Sequence, residues 1–138
     1  MLTKRSINCA IAAVFLLSAG YAFSADLRVT DATGTAVLIR EAFVDYGGFS
    51  GDKETAGIRI AQGNAVVTAK WTNIQALTVT GKEPSTTQTR IKVEVTLRNG
   101  NKVSGILVNK GRMKLFGKTD LGEYVIDLDQ IRTITPVQ

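Results

Sequence analysis

The side chains best placed to do chemistry in this sequence are cations that alternate with apolar or small residues. They lie in the segment KGRMKLFGK, 110–118. Alternate residues of a β-strand point to one face, so these cations would form a row. Such a row could bind phosphate groups, anionic lipid head groups or acidic polysaccharide. The alternative is a solvated edge strand, on which lysine prevents aggregation. The row consists of Lys110, Arg112, Lys114 and Lys118.

Aromatic residues and glycines mark a second candidate surface, the loop DYGGFSGDKETAG at 45–57. Tyr46 and Phe49, exposed on such a loop, would suit recognition of a protein partner or a sugar. The alternative is an ordinary long hairpin loop. The loop's carboxylates could hold calcium, but their spacing does not match an EF-hand. These carboxylates are Asp45, Asp52 and Glu54.

The residue types present argue against catalysis and against a bound metal. The sequence contains no histidine, so a conventional Ser-His-Asp triad cannot form and the commonest metal ligand is absent. The single cysteine, Cys9, allows neither a disulfide framework nor a zinc cluster. Asp127 and Asp129 would support hydrolysis only if they converged in a cleft. We therefore expect no enzyme activity, no cofactor and no metal.

A β-hairpin is predicted by the segment VTLRNGNKVSGIL, 95–107. A three-residue loop at 98–100 places Val95 opposite Val103 on one face of the sheet, whereas a two-residue loop would mix apolar and polar side chains there. The loop requires Gly100 in the left-handed region. Glycine in mid-strand marks a bend or a close backbone approach. Asn99, Gly100 and Gly105 are therefore predicted to be structural turn residues.

Short alternating runs rich in Val, Ile and Thr fill the rest of the chain and predict an all-β fold. The aromatics nearest the basic row, Phe116 and Tyr124, fit core positions. With 138 residues, of which 44% are hydrophobic and 21% charged, the chain can form one ordinary domain or two small ones.

An internal repeat divides the predicted fold. VTDATGTAV (29–37) resembles VTLRNGNKV (95–103), and Trp71, Ile74 and Leu77 have the spacing of Leu128, Ile131 and Ile134. Chance similarity between two β-meanders is the alternative. We predict two packed, small β-barrel-like units of about five strands each. The first spans 26–80, the second 90–138, and 81–89 links them.

The N-terminus has the pattern of a signal peptide. Lys4 and Arg5 precede the apolar run AIAAVFLL at 10–17, and small residues follow it. Residues 1–25 are therefore predicted to be a signal peptide, cleaved between residues 22 and 25, with Ala22 and Ser24 at the −3 and −1 positions. An uncleaved anchor is the alternative, although the apolar run is shorter than a spanning helix needs.

The hairpin at 95–107 resembles the first half of the Sm-like signature, in which a strand, an Asn-Gly turn and a glycine-containing strand begin a small barrel. The RNGNKVSG and GEYVIDLDQIRTI segments are similar to tandem Sm-like or SH3-like units of exported bacterial proteins. Such units resemble the soluble N-terminal part of envelope proteins of unknown function. The resemblance implies a fold and a compartment, and it implies no reaction.

These patterns lead to one leading hypothesis and two others. The leading one is a periplasmic or secreted, non-enzymatic interaction or accessory module whose partner is another envelope or extracellular protein. The second is a binder of anionic lipid, polysaccharide or nucleic acid that uses the basic row. Export argues against nucleic acid. The third is an enzyme of unrecognised type. The sequence leaves the oligomeric state open.

Overall fold

The structure is a computed structural model that describes residues 25–47, 51–84, 89–111 and 113–137. The predicted signal peptide lies outside these residues, except for Ala25, which begins the first strand. No helix in the described part of the chain is long and apolar enough to cross a membrane.

The all-β prediction is confirmed, since the described residues form strands and two short 3₁₀ turns, Trp71–Asn73 and Leu128–Gln130. The strands make one curled antiparallel sheet in the order β10-β9-β2-β1-β11-β6-β7-β8-β4-β5, with β3 paired to β2 beside this path. They are β1 (Ala25–Asp31), β2 (Ala36–Asp45), β3 (Lys53–Glu54), β4 (Gly57–Gln62), β5 (Ala65–Lys70), β6 (Ile74–Pro84), β7 (Thr89–Leu97), β8 (Lys102–Leu107), β9 (Lys114–Lys118), β10 (Glu123–Asp127) and β11 (Ile131–Val137).

Alternation along each strand separates the core from the solvent. On β7, for example, Ile91, Val93 and Val95 are buried, while Lys92 between them is exposed. This period of two is what a sheet with one buried face requires. The inner face of the curled sheet therefore holds the hydrophobic core.

The predicted hairpin between β7 and β8 is confirmed in register and in conformation. Val95 pairs with Val103, and Val93 pairs with Gly105. Gly100 has a φ of 90°, and its backbone N–H donates to the Leu97 carbonyl across 2.9 Å. The backbone N–H of Asn101 donates to Asn99 Oδ1, so Asn99 closes the loop with its side chain.

Of the segment predicted as a linker, 81–89, the structure describes 81–84 and 89, and these residues lie in strands. Residues 81–84 continue β6, and Thr89 begins β7. Lys82 pairs with Ile91, and Pro84 pairs with Thr89. In these described residues backbone pairing is retained, although their side chains are not buried.

Strand pairing crosses the predicted boundary between the two units. From the first part of the chain, β1 pairs with β11 and β2 pairs with β9. From the second part, β7 pairs with β6 and β8 pairs with β4. We call β10, β9, β2, β1 and β11 the first half-sheet, and β6, β7, β8, β4 and β5 the second half-sheet. Each half-sheet thus combines strands from both parts of the sequence, and β6 pairs with β11 between them.

The two half-sheets have matching registers. Val29 pairs with Val37 and Ile134, while Val95 pairs with Val103 and Leu77. A 3₁₀ turn directly precedes β11 in the first half-sheet and β6 in the second, and Gly34, like Gly100, has a φ of 90°. Leu77 and Ile134 hold corresponding positions, and they pair with each other where the half-sheets meet.

Two glycine–isoleucine contacts occupy corresponding places with the residues reversed. In the second half-sheet, Gly105 of β8 lies against Ile60 of β4, and an added Cβ would overlap the Ile60 Cγ2 atom. In the first half-sheet, Gly117 of β9 lies against Ile39 of β2, where a Cβ would lie 2.8 Å from Ile39 Cβ. Each contact combines one large and one small residue, which allows the neighbouring strands to approach closely where the sheet curls.

We predict that Gly105→Ala lowers the free energy of unfolding by about 1–3 kcal/mol, because the new methyl overpacks the contact with Ile60. In an Ile60→Ala background the same substitution should cost less than half as much, and the difference is the coupling energy of the pair. Chemical denaturation of the four variants measures it.

Gly81→Ala is the matched control for this cycle. A Cβ at Gly81 would meet its nearest atom, Lys92 Cδ, at an ordinary 3.9 Å. Its effect should stay within about 0.5 kcal/mol. Equal costs for Gly105→Ala with and without Ile60 would contradict the close-approach explanation.

Candidate functional site

The two members of the predicted basic row that lie on β9 form ion pairs with carboxylates. Lys114 and Lys118 lie on β9 and share its outer face. Lys114 Nζ lies 2.6 Å from Asp127 Oδ1, and Lys118 Nζ lies 2.7 Å from Glu41 Oε2. Lys110 is exposed in the connection before β9, and Arg112 lies outside the described residues. The row is therefore not a continuous line of free cations.

Carboxylates also set the electrostatics around these lysines. The hydrogen bond from Lys118 lowers the pKa of Glu41, and the same contact raises the pKa of Lys118. Lys110 and Lys114 line a cleft of about 220 Å³ together with Asp45. An anion entering this cleft would approach the Asp45 carboxylate, which opposes binding.

Phe116 does not occupy the core position that the sequence predicts. It lies on the outer face of β9 with Lys114 and Lys118, and its ring stacks on Phe43 with centroids 5.1 Å apart. Lys53 Nζ lies 5.0 Å from the centre of the Phe43 ring. Leu115 and Gly117 occupy the buried face of β9, and Phe116 between them points outward. Because glycine is not hydrophobic, the sequence did not show that this face is the buried one. The prediction for Tyr124 holds, since it packs against the core.

Tyr46 is not the exposed recognition residue that the sequence predicts. Its ring is half-buried against the core, and its hydroxyl accepts the Arg59 backbone N–H across 2.7 Å. The Arg59 guanidinium carbon lies 4.3 Å from the ring centre. The same guanidinium forms two hydrogen bonds, of 2.7 and 2.8 Å, with Asp52. These contacts hold the described part of the loop against β4. Phe49 lies outside the described residues.

The carboxylates of this loop have structural partners. Asp45 accepts the Gly47 N–H, and Asp52 and Glu54 face Arg59. Within the segments that the structure describes, no three His, Cys, Asp or Glu residues lie close enough together to hold a metal ion.

The two edges of the sheet differ sharply in polarity. At one end, β5 exposes Val66 and Val67, with 60% and 45% of their surfaces accessible, and 65–69 contain no charge. At the other end, β10 begins with Glu123 and ends with Asp127. The described residues provide no strand on the outer side of either edge. An edge with exposed valines and no charge is a template for a further strand.

An apolar groove opens beside β5. It has a volume of about 270 Å³, and its walls come from β4, β5 and the β7–β8 hairpin. Val67 and Ala69 face it from the edge strand, since they pair with the buried residues Ile60 and Ile58. Its apolar floor and walls include Ile60, Ile74, Val95, Leu97 and Val103.

Sequence reasoning identified β5 as a strand and missed its position at the edge. The run AVVTA is as apolar as an internal strand. The neighbours of a strand depend on long-range pairing, which alternation does not reveal. The one local signal was the lack of charge between Asn64 and Lys70, which marks the strand as unprotected if it lies at an edge.

We predict that Tyr46 makes the free energy of unfolding depend on pH in the alkaline range. Burial raises the pKa of Tyr46 to about 12, against about 10 in an unfolded chain. Its contribution is therefore complete below pH 10 and is lost as the pH rises towards 12. Between these values the wild type should lose on the order of 1–2 kcal/mol more stability than Tyr46→Phe. Urea denaturation followed by circular dichroism at several pH values measures this difference, and identical profiles would contradict the assignment.

Comparison with known proteins identifies no family for this chain. No protein-family model, curated protein or solved structure matches the chain. The candidate sites are therefore defined by the residues themselves: the β5 edge, the groove beside it and the ion-paired outer face of β9.

Proposed function

We propose that the protein is an exported, non-enzymatic interaction module of the bacterial envelope or cell exterior, and that it binds an extended segment of another protein at β5. The observation that carries this proposal is the unprotected edge: Val66 and Val67 are exposed at one end of the sheet, on a strand without charge from 65 to 69. Binding proteins commonly extend an exposed sheet edge with a strand from their partner.

The opposite edge supports the proposal by contrast. Soluble β-proteins protect edge strands with charge, which prevents unwanted pairing. β10 has this protection, because Glu123 and Asp127 flank it and Lys118 lies opposite Glu123. β5 has only Lys70, at its C-terminal end. If the protein had no protection against edge pairing, both edges would lack charge. Because only β5 lacks this protection, a binding surface at β5 is the better explanation.

Binding by strand addition would need no catalytic group. Backbone N–H and C=O groups supply the affinity, and pockets beside the strand select side chains. The groove next to β5 is a pocket of this type, with an apolar lining and one charged residue, Lys70. This arrangement suits recognition of another envelope or extracellular protein.

The finer architecture is part of the same proposal. We infer that the chain is a duplicated unit of about five strands, similar to Sm-like or SH3-like barrels, and that each copy exchanges its first two strands with the other. The matching registers of the half-sheets, the two 3₁₀ turns and the two glycines at a φ of 90° support this. The reversed glycine–isoleucine contacts favour exchange, since pairing within one copy would bring Ile39 against Ile60 and Gly105 against Gly117.

Anion binding by the basic row has less support. Lys114 and Lys118 already bind carboxylates at hydrogen-bond distance. An anionic lipid or polysaccharide would have to displace these partners. The exposed charge pair that it formed in their place would contribute little net free energy.

Export gives the first test of the proposal. The N-terminal pattern predicts that mass spectrometry of the protein from a native host finds a new N-terminus between residues 23 and 26. Replacing Ala22 and Ser24 with lysine should block cleavage, because the peptidase requires small residues there. An intact N-terminus in the membrane fraction of the wild type would support an anchor instead.

The second test places a photoreactive benzoyl-phenylalanine at position 66 on β5 or, as a control, at position 125 on β10. The two valines are similarly exposed, at 60% and 50%. After irradiation of the native envelope and medium, position 66 should give a discrete protein adduct that position 125 does not give. Adding Val67→Lys, which places a charge on the groove side of the edge, should abolish the adduct. Adducts of equal yield at both positions, or none at position 66, would contradict binding at β5.

A further inference from the structure

We propose that the groove beside β5 is a receptor for an aromatic side chain, carried by an extended segment with acidic residues on either side of it. This inference rests on the proposed function, since it specifies the partner of the same edge. It follows from the corresponding place in the first half-sheet, where the chain's own residues fill the equivalent space.

Strand pairing identifies the equivalent residues. Val67 lies four residues before Trp71 and pairs with Ile60, while Tyr124 lies four residues before Leu128 and pairs with Gly117. Ala69 corresponds in the same way to Ile126. All four residues point to the core side of their strands, because their neighbours across the sheet face the core.

Side-chain size helps to explain the groove beside the edge strand of the second half-sheet. Next to the edge strand, the contact of Ile39 with Gly117 in the first half-sheet corresponds to the contact of Gly105 with Ile60 in the second. Each contact has one isoleucine and one glycine, so the side-chain volume there is the same in both half-sheets. At the edge strand itself, valine stands in place of tyrosine and alanine in place of isoleucine. The uncompensated loss of an aromatic ring and an aliphatic side chain contributes to an open volume of about 270 Å³.

The first half-sheet shows what fits the space. Tyr124 packs against the hydrophobic core, and burial raises the pKa of its phenol. Ile126 packs beside it. The strand that carries them reads EYVID, an aromatic and an aliphatic residue at alternate positions between two carboxylates. A segment of this pattern, added next to β5, would point its aromatic side chain into the groove.

Charge around the groove favours the acidic flanks. Lys70 is the one charged residue among those that line it. Lys70 stands where the first half-sheet has Asp127, so the charge at that end of the edge strand is reversed. No carboxylate lines the groove. An acidic residue beside the aromatic would therefore meet a cation and no opposing carboxylate.

The test uses the full chain and a labelled synthetic peptide that copies residues 122–128, GEYVIDL. Fluorescence anisotropy should show saturable binding of this peptide. Replacing its tyrosine with alanine should weaken binding at least about tenfold, because the aromatic supplies most of the buried apolar area. Replacing both acidic residues with their amides should weaken binding a few-fold and reduce its salt dependence.

Variants of the protein locate the binding site. Val67→Tyr with Ala69→Ile gives β5 the residues of β10, which should fill the groove and abolish peptide binding without loss of stability. Val125→Tyr, which adds the same ring on the outer face of β10 and away from the groove, is the matched control and should leave binding unchanged. If the double variant does not fold, Ala69→Ile alone should still weaken binding, because it narrows the groove.

The outcomes separate this inference from the proposed function. Equal affinity for the tyrosine and alanine peptides, unchanged binding by the filled variant, or no binding of the tyrosine peptide would each overturn the aromatic receptor. Photo-crosslinking at position 66 would then still decide whether β5 binds a partner. A peptide that binds by pairing with β10 of the protein would be unaffected by the filled groove, and this result also counts against the proposal.

Discussion

The pairing of β6 with β11 is the constraint on which the rest of this structure depends. Leu77 and Ile134 are fully buried and lie opposite each other, at corresponding places in the two half-sheets. Within the described sheet no other strand pair joins the halves. The chain itself crosses between them twice, through 45–57 and again through 107–114. The orientation of both half-sheets therefore follows from one central pair of strands and two connections.

Both crossings are fixed by polar contacts close to the core. The first is held by Tyr46 and Arg59, whose stacking and hydrogen bonds attach the loop to β4. The second is held by Asn109, a buried side chain that accepts the Met113 N–H across 3.2 Å. A buried amide or phenol is stable only with such partners, which hold the described parts of both connections against the core.

Local patterns in the sequence were sufficient for the strands and for the β7–β8 hairpin, because alternation and a left-handed glycine act over a few residues. Gly100 had to adopt a positive φ for Val95 to face Val103, and the structure has both features. Long-range pairing was not available to the same reasoning. Alternation predicts which face of β2 is buried, but not that its neighbour is β9 instead of β4. The edge position of β5, the outward Phe116 and the strand character of 81–84 all depend on that unknown pairing.

The proposed duplication would also explain how the proposed binding surface at β5 could arise without loss of the fold. When two edges have the same environment, one can keep its core-filling tyrosine and its acidic flanks while the other loses them. The first half-sheet retains Tyr124 between Glu123 and Asp127. The second has Val67 and Ala69 in a strand with no carboxylate, and the residues that would have packed on a larger side chain now line an open groove. The apolar area left in water there is a cost to the free protein, and a partner that covers it recovers that free energy.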